Sequence, residues 1–173
     1  GQRGPPSTLS NTVGHGGWTW GGANSLRLCL APASGSHGQG VPASVVPALL
    51  KLVSTPGNAL SHLRIGGNGA WSDGSGGALV KAMASEACVV EELDVSGSGL
   101  SAADAGGLVS ACGSLKTLRL SEWTIPVADL RSGTAVSSDK QAVGDADGAV
   151  MCELLKSNSA LTRLELSGSS MTA

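Results

Sequence analysis

The placement of the leucines constrains this chain more than any other feature. Leu60, Leu63 and Ile65 are followed by Asn68 and Ala70. The same offsets hold Val90, Leu93, Val95, Ser98 and Leu100, then Leu115, Leu118, Leu120, Trp123 and Ile125, then Leu161, Leu164, Leu166, Ser169 and Met171. A looser copy contains Leu28, Leu30 and Ala33. A single match to apolar-x-x-apolar-x-apolar would carry little weight, but four good copies predict a repeat architecture. The equivalent positions Leu30, Ile65, Val95, Leu120 and Leu166 are separated by 35, 30, 25 and 46 residues. The last interval requires an insertion, which we place at 126–143, a stretch rich in Ser, Thr, Gly and Asp.

Helix signals fill the intervals. Ser44 can cap a helix through Val53, with Pro47 in the first turn, where its missing N–H costs little, and Pro56-Gly57 to stop it. Asp73 or Ser75 can open a helix carrying Ala78, Leu79, Ala82 and Met83. Ser101 and Asp104 have capping-box spacing ahead of Leu108 and Cys112. Asp145 or Asp147 can start a helix with Val150, Met151, Leu154 and Leu155. Each short strand is therefore expected to be followed by a helix, which gives an α/β chain with a parallel sheet on one side and helices on the other.

These windows and helices, above all the run from Asp147 through Leu154, Leu155, Leu161, Leu164 and Leu166, resemble the ribonuclease-inhibitor-like class of leucine-rich repeat proteins. The resemblance spans residues 22–173 and follows a Gly/Pro-rich segment at 1–21. It implies a solenoid with parallel strands on the concave side and helices on the convex side. That class often places Asn at the ninth position of the pattern to bond the loop backbone. Here Asn68 does so, Ser98 and Ser169 are short substitutes, and Trp123 departs from the pattern. The last copy stops at Ala173 before its helix, and terminal repeats ordinarily need a cap, so a partial chain or a partner over that edge is expected.

A thin row of leucines also explains an unusually light composition. The 173 residues include 26 Gly, 25 Ser and 22 Ala, four Trp, and neither Phe nor Tyr. That excludes tyrosine chemistry and any Phe/Tyr platform for stacking bases. It also argues against a sandwich or barrel, whose cores use many aromatic and β-branched side chains. A net charge of −2 gives no broad attraction to nucleic acid. No apolar run reaches the roughly 18 residues of a membrane span. Cys29, Cys88, Cys112 and Cys152 have no CxxC spacing and are read as reduced, buried small hydrophobes of an intracellular protein. The chain opens on Gly1 and its first Met is Met83, so a processed or partial segment is expected.

Strand alternation places the residues between the leucines on the opposite face. The central row is Cys29, Arg64, Asp94, Arg119 and Glu165, preceded by Arg27, His62, Glu92, Thr117 and Arg163, and followed by Ala31, Gly66, Ser96, Ser121 and Ser167. Charges alternate along the central row, so a ladder of cross-strand ion pairs is predicted. Two readings follow: a solvated face whose charges neutralise one another, or a partner-binding surface that uses Arg27, His62, Arg64, Glu92, Asp94, Arg119, Arg163 and Glu165. Trp18 and Trp20 are either partner anchors or the cap of the first repeat. Trp71 and Trp123 are read as covering their loops.

Catalytic, cofactor and metal motifs are not found. His15-Gly-Gly has no G-x-S-x-G elbow to serve. Asp145-Ala-Asp147-Gly148 lacks calcium-loop ligands, with Val143 and Leu154 at the first and twelfth positions. His15, His37 and His62 have no neighbour at metal-ligand spacing. The expected function is a protein–protein interaction or scaffold module rather than an enzyme. Its partners would be other proteins in a multi-subunit intracellular assembly, cytoplasmic, with a cytoskeletal or ciliary setting as one form. The alternative, implied only by the resemblance, is an activator of a small GTPase.

Overall fold

The computed structural model describes residues 10–13, 16–20 and 26–30 as backbone, and 45–67, 76–138 and 141–166 in full. The elements in order are β1 (Ser10–Val13), β2 (Gly16–Trp20), β3 (Leu26–Leu30), α1 (Val46–Val53), β4 (Leu60–Arg64), α2 (Gly76–Met83) and β5 (Glu92–Asp94). They continue with α3 (Ala102–Ala111), β6 (Thr117–Arg119), β7 (Thr124–Pro126), α4 (Val127–Ser132), β8 (Ala135–Ser137), α5 (Asp145–Leu155) and β9 (Arg163–Glu165).

The leucine windows become a parallel block. β3, β4, β5 and β6 pair side by side in parallel, with Leu28, Leu63, Leu93 and Leu118 in one register row. Leu63, Leu93 and Leu118 are at most 2% exposed, as period-2 alternation requires of the covered face. The outer pattern positions Leu60, Val90 and Leu115 are buried with them. Against this face lie Leu49 and Val53 of α1, Leu79 and Met83 of α2, and Leu108 and Val109 of α3. The helices pack in sequence, α1 on α2 and α2 on α3, and α5 then takes its place beside α3.

Local signals account for the helix ends. α1 carries Pro47 in its first turn and closes at Ser54, and the chain turns back through Gly57 at φ +77°. The residue at the cap of α1 is Val45, without a side-chain cap bond, rather than the expected Ser44, which lies outside the described residues together with Asp73 and Ser75, the expected caps of α2. Ser101 accepts the Asp104 backbone N–H at 3.1 Å, and its hydroxyl donates to Asp104 Oδ2 at 2.7 Å, so α3 starts at the expected box. The cap residue of α5 is Gly144, one position ahead of Asp145 and three ahead of Asp147, and its N–H donates to Asp147 Oδ2 at 2.9 Å. The same oxygen accepts the Ser121 hydroxyl at 2.6 Å, which ties the start of α5 to the loop after β6.

Three features depart from the sequence expectation. The sheet does not run on in parallel: β7 folds back antiparallel on β6, and β8 and β9 form a separate parallel pair. The 126–143 segment, read as an insertion, contains α4 and β8. Val127, Leu130 and Val136 bury against the core, so this stretch adds a helix and a strand whose single leucine, Leu130, falls outside the repeated leucine spacing. Cys152 is exposed, because Met151 and Leu154 take the inward face of α5, whereas Cys88 and Cys112 are buried. At the other edge, β1 and β2 add an antiparallel hairpin to β3. Its register pairs Trp18 with Leu28 and Trp20 with Leu26, so the tryptophan backbone covers the edge of the first leucine strand. Among the described residues no helix is long and apolar enough to cross a membrane.

Candidate functional site

The open face of the parallel block carries the predicted charged rows. Parallel register aligns Cys29, Arg64, Asp94 and Arg119 in one row, and Arg27, His62, Glu92 and Thr117 in the other. From β4 to β6 both rows line a cleft of about 340 Å³ formed by His62, Arg64, Glu92, Leu93, Asp94, Thr117, Arg119 and Thr124.

Asp94 organises the centre. Its side chain is 17% exposed, whereas those of Arg64 and Arg119 are 60% and 40% exposed. Oδ1 accepts the Ser96 backbone N–H at 3.1 Å and the Ser96 hydroxyl at 2.7 Å. Oδ2 faces both guanidiniums, with Arg64 Nε at 3.6 Å and Arg119 Nη1 at 3.9 Å. These are loose ion pairs, and pairs at such exposure contribute about 0–1 kcal/mol. Arg119 is held a second way, through Nε donating to the Ser121 carbonyl at 3.2 Å.

The adjoining row is closed by an imidazole. His62 Nε2 lies 3.1 Å from Glu92 Oε1, and His62 Nδ1 lies 2.8 Å from Ser61 Oγ. A carboxylate only accepts, so this contact places a ring proton on Nε2. The order Ser61–His62–Glu92 has the composition of a hydrolase triad. Ser61, however, precedes His62 on the strand and is not among the residues that line the cleft.

Close approach of the loops flanks the rows. A Cβ on Gly66 would meet the Ser96 carbonyl oxygen and Oγ at 2.8 Å and Asp94 Oδ1 at 3.0 Å. Glycine is therefore needed for the loop after β4 to lie on the loop after β5, joined by Gly67 N–H to the Ser96 carbonyl. Ser98 bonds the loop backbone as a ninth-position residue is expected to: it is fully buried and its hydroxyl donates to the Val95 carbonyl. Trp123, at the same position of the next leucine window, is instead packed into the core.

The structure separates two predicted residues from the rest. β6 is followed in the sheet by β7, which places Thr124 opposite Arg119 and Pro126 opposite Thr117. Glu165 therefore pairs in register with Ser137, not Arg119, and Arg163 with Ala135, not Thr117. Arg163 and Glu165 satisfy one another along their own strand, Nη2 to Oε1 at 2.6 Å. The antiparallel turn at β7 is the reason, and no leucine marks it. The side chains of Arg27, Cys29, Trp18 and Trp20 lie outside those described. Sequence reasoning also missed Arg131. Its guanidinium donates to the carbonyls of Val109, Cys112, Gly113 and Leu115, closing the C-terminal end of α3.

Buried cysteines contribute chemistry of a different kind. The Cys88 thiol donates to Met83 Sδ at 3.7 Å and the Cys112 thiol to the Val90 carbonyl at 3.9 Å. The neighbouring thiol lowers Cys112 from its ordinary value and, together with burial, pushes Cys88 up. Among the described residues no group of three His, Cys, Asp or Glu side chains is placed to hold a metal ion. Compared with protein-family models, curated proteins and solved structures, the chain matches none of them.

Proposed function

We propose that this chain is a leucine-rich repeat solenoid of the ribonuclease-inhibitor-like class that acts as a protein-interaction or scaffold module. The open face of β4–β6 serves as its concave binding surface. The observation that carries this reading is the contrast between the two faces of one sheet. One is sealed by leucines and helices. The other presents Arg64, Glu92 and Arg119, all with well-exposed side chains, around a cleft of about 340 Å³. Solenoids use such surfaces for extended partners. The reading is of a binding module, not an enzyme, serving as a segment or subunit of an intracellular assembly.

Affinity purification of the tagged chain from its own cells, with quantitative mass spectrometry, tests this. Arg64→Glu combined with Arg119→Glu is expected to deplete the co-purifying partners while circular dichroism stays unchanged. Full retention of every partner by this folded variant would remove the open face as the binding surface.

A further inference from the structure

The two rows of the cleft differ in charge, and the difference has a fixed spacing. The row Arg64–Asp94–Arg119 holds two cations and one carboxylate. That carboxylate is already occupied: Ser96 takes Oδ1 twice, and both guanidiniums converge on Oδ2. Among the described residues the terminal nitrogens of Arg64 make no hydrogen bond, so its outward donors remain available to a ligand. The row His62–Glu92–Thr117 holds one carboxylate, an imidazole and a hydroxyl, with the Glu92 side chain 54% exposed. Over β4–β6, the stretch that lines the cleft, the first row carries two guanidiniums to one carboxylate, and the second carries the Glu92 carboxylate, paired with His62, and no guanidinium; Arg27 continues that second row on β3. Equivalent residues of the rows are two positions apart on each strand, about 6.6 Å at the usual strand rise.

An extended peptide has the same geometry. Its side chains i and i+2 point one way and lie about 6.6 Å apart. The row beyond the arginines, Gly66, Ser96 and Ser121, carries no long side chain to obstruct a peptide laid across the charged rows. From this charge complementarity we propose that the cleft binds an extended protein segment of acid-x-base pattern, its acidic side chain on Arg64 and Arg119 and its basic side chain on Glu92. This inference rests on the open face being the binding surface and adds the chemistry of the occupant. Asp94 is a positioning residue here: it holds the two guanidiniums side by side and does not itself meet the ligand.

The test is nuclear magnetic resonance titration of the isotopically labelled full chain with four capped pentapeptides, Gly-X-Ser-Z-Gly. X and Z are Glu and Lys, Glu and Glu, Lys and Lys, or Ser and Ser. The Glu/Lys peptide is expected to move the Arg64 and Arg119 side-chain Nε–H signals and the Glu92 amide, and to bind at least tenfold more tightly than the others. Arg64→Gln with Arg119→Gln should weaken it at least tenfold. Glu92→Gln should erase its advantage over the Glu/Glu peptide. Equal response of the cleft to all four peptides would overturn the acid-x-base assignment yet leave the face a binding surface. A silent cleft with all four would overturn it too. In either case loss of partners from the doubly reversed variant in the purification experiment decides the broader reading separately.

Discussion

The parallel block β4–β6 and the strand β9 carry the same apolar code with opposite results. Leu63, Leu93 and Leu118 are sealed, whereas Leu164, in the equivalent place, is 40% exposed, and every residue of β9 is exposed. The local sequence is not the cause, since Leu161, Leu164 and Leu166 repeat the spacing of Leu115, Leu118 and Leu120. What differs is the neighbours. Leu93 has a described strand on each side, and Leu164 has β8 alone. Burial of a strand is supplied here by the strands and helices beside it, so stability resides between neighbouring elements more than within one.

The largest expected effect tests that difference directly. Leu93→Ala leaves a cavity in a close-packed row and should cost about 3–4 kcal/mol in urea unfolding. Leu164→Ala removes a side chain that is 40% exposed and should cost less, about 1 kcal/mol. Equal costs would mean that β9 is covered in solution by something beyond its described neighbours.

Next in size is a contrast between two arginines. Arg131 is half-buried and binds four main-chain carbonyls where α3 ends, the favourable end of a helix for a cation. Arg131→Ala should cost about 2–4 kcal/mol, because it strands several acceptors at once. Arg64→Ala removes one loose, exposed ion pair and should change stability by less than about 0.5 kcal/mol. Urea midpoints of the two variants decide it, and a costly Arg64→Ala would make the open face structural.

Thiol labelling separates the blocks without mutation. Peptide mapping after brief iodoacetamide treatment should find Cys152 modified first, with Cys88 and Cys112 protected until the parallel block opens. Cys112 is 1% exposed and its thiol donates to the Val90 carbonyl, so burial is what protects it. Labelling of Cys112 as fast as Cys152 would show that the block opens readily.

How much of this is legible in the sequence follows from where the information is local. The rows at Arg64, Asp94 and Arg119, and at His62, Glu92 and Thr117, follow from strand alternation once four leucine windows are aligned. The α3 cap follows from Ser101 and Asp104 alone. The break after β6 is not legible. It depends on Thr124–Pro126 folding back, and the unit that follows buries Val127, Leu130 and Val136 without the leucine code. For that reason the leucine alignment gives Glu165 and Arg163 the wrong neighbours. Arg131 is equally hidden, since its acceptors lie 16 to 22 residues away in sequence. Asn58 and Asn158 form a third hidden device. Asn58 reaches the Ala87 carbonyl of the next unit at 3.0 Å, and Asn158 reaches the Leu130 carbonyl of the previous one at 2.9 Å. An asparagine just ahead of each of these two windows is therefore a signal that pattern matching on leucines alone overlooks.

The smallest predicted effect concerns the seam between the blocks, where α3 meets α5. Ser110 donates its hydroxyl to Glu153 Oε1 at 3.2 Å, and Lys156 holds Oε2 of the same carboxylate. The Lys156 bond first, and the Ser110 bond second, keep the Glu153 carboxyl below its ordinary value of 4.5. A carboxyl lowered on folding adds stability above its unfolded value, and that contribution fades as pH falls through the folded one. Glu153→Gln should therefore lower the urea midpoint slightly at pH 7, and the two curves should converge as the pH drops well below 4.5. Since the Glu153 carboxyl is open to solvent, added salt near 0.5 M should shrink the pH 7 difference further. A difference that persists unchanged in strong acid would assign the effect to side-chain packing between α3 and α5, and the seam would then resemble the leucine block more than the polar one.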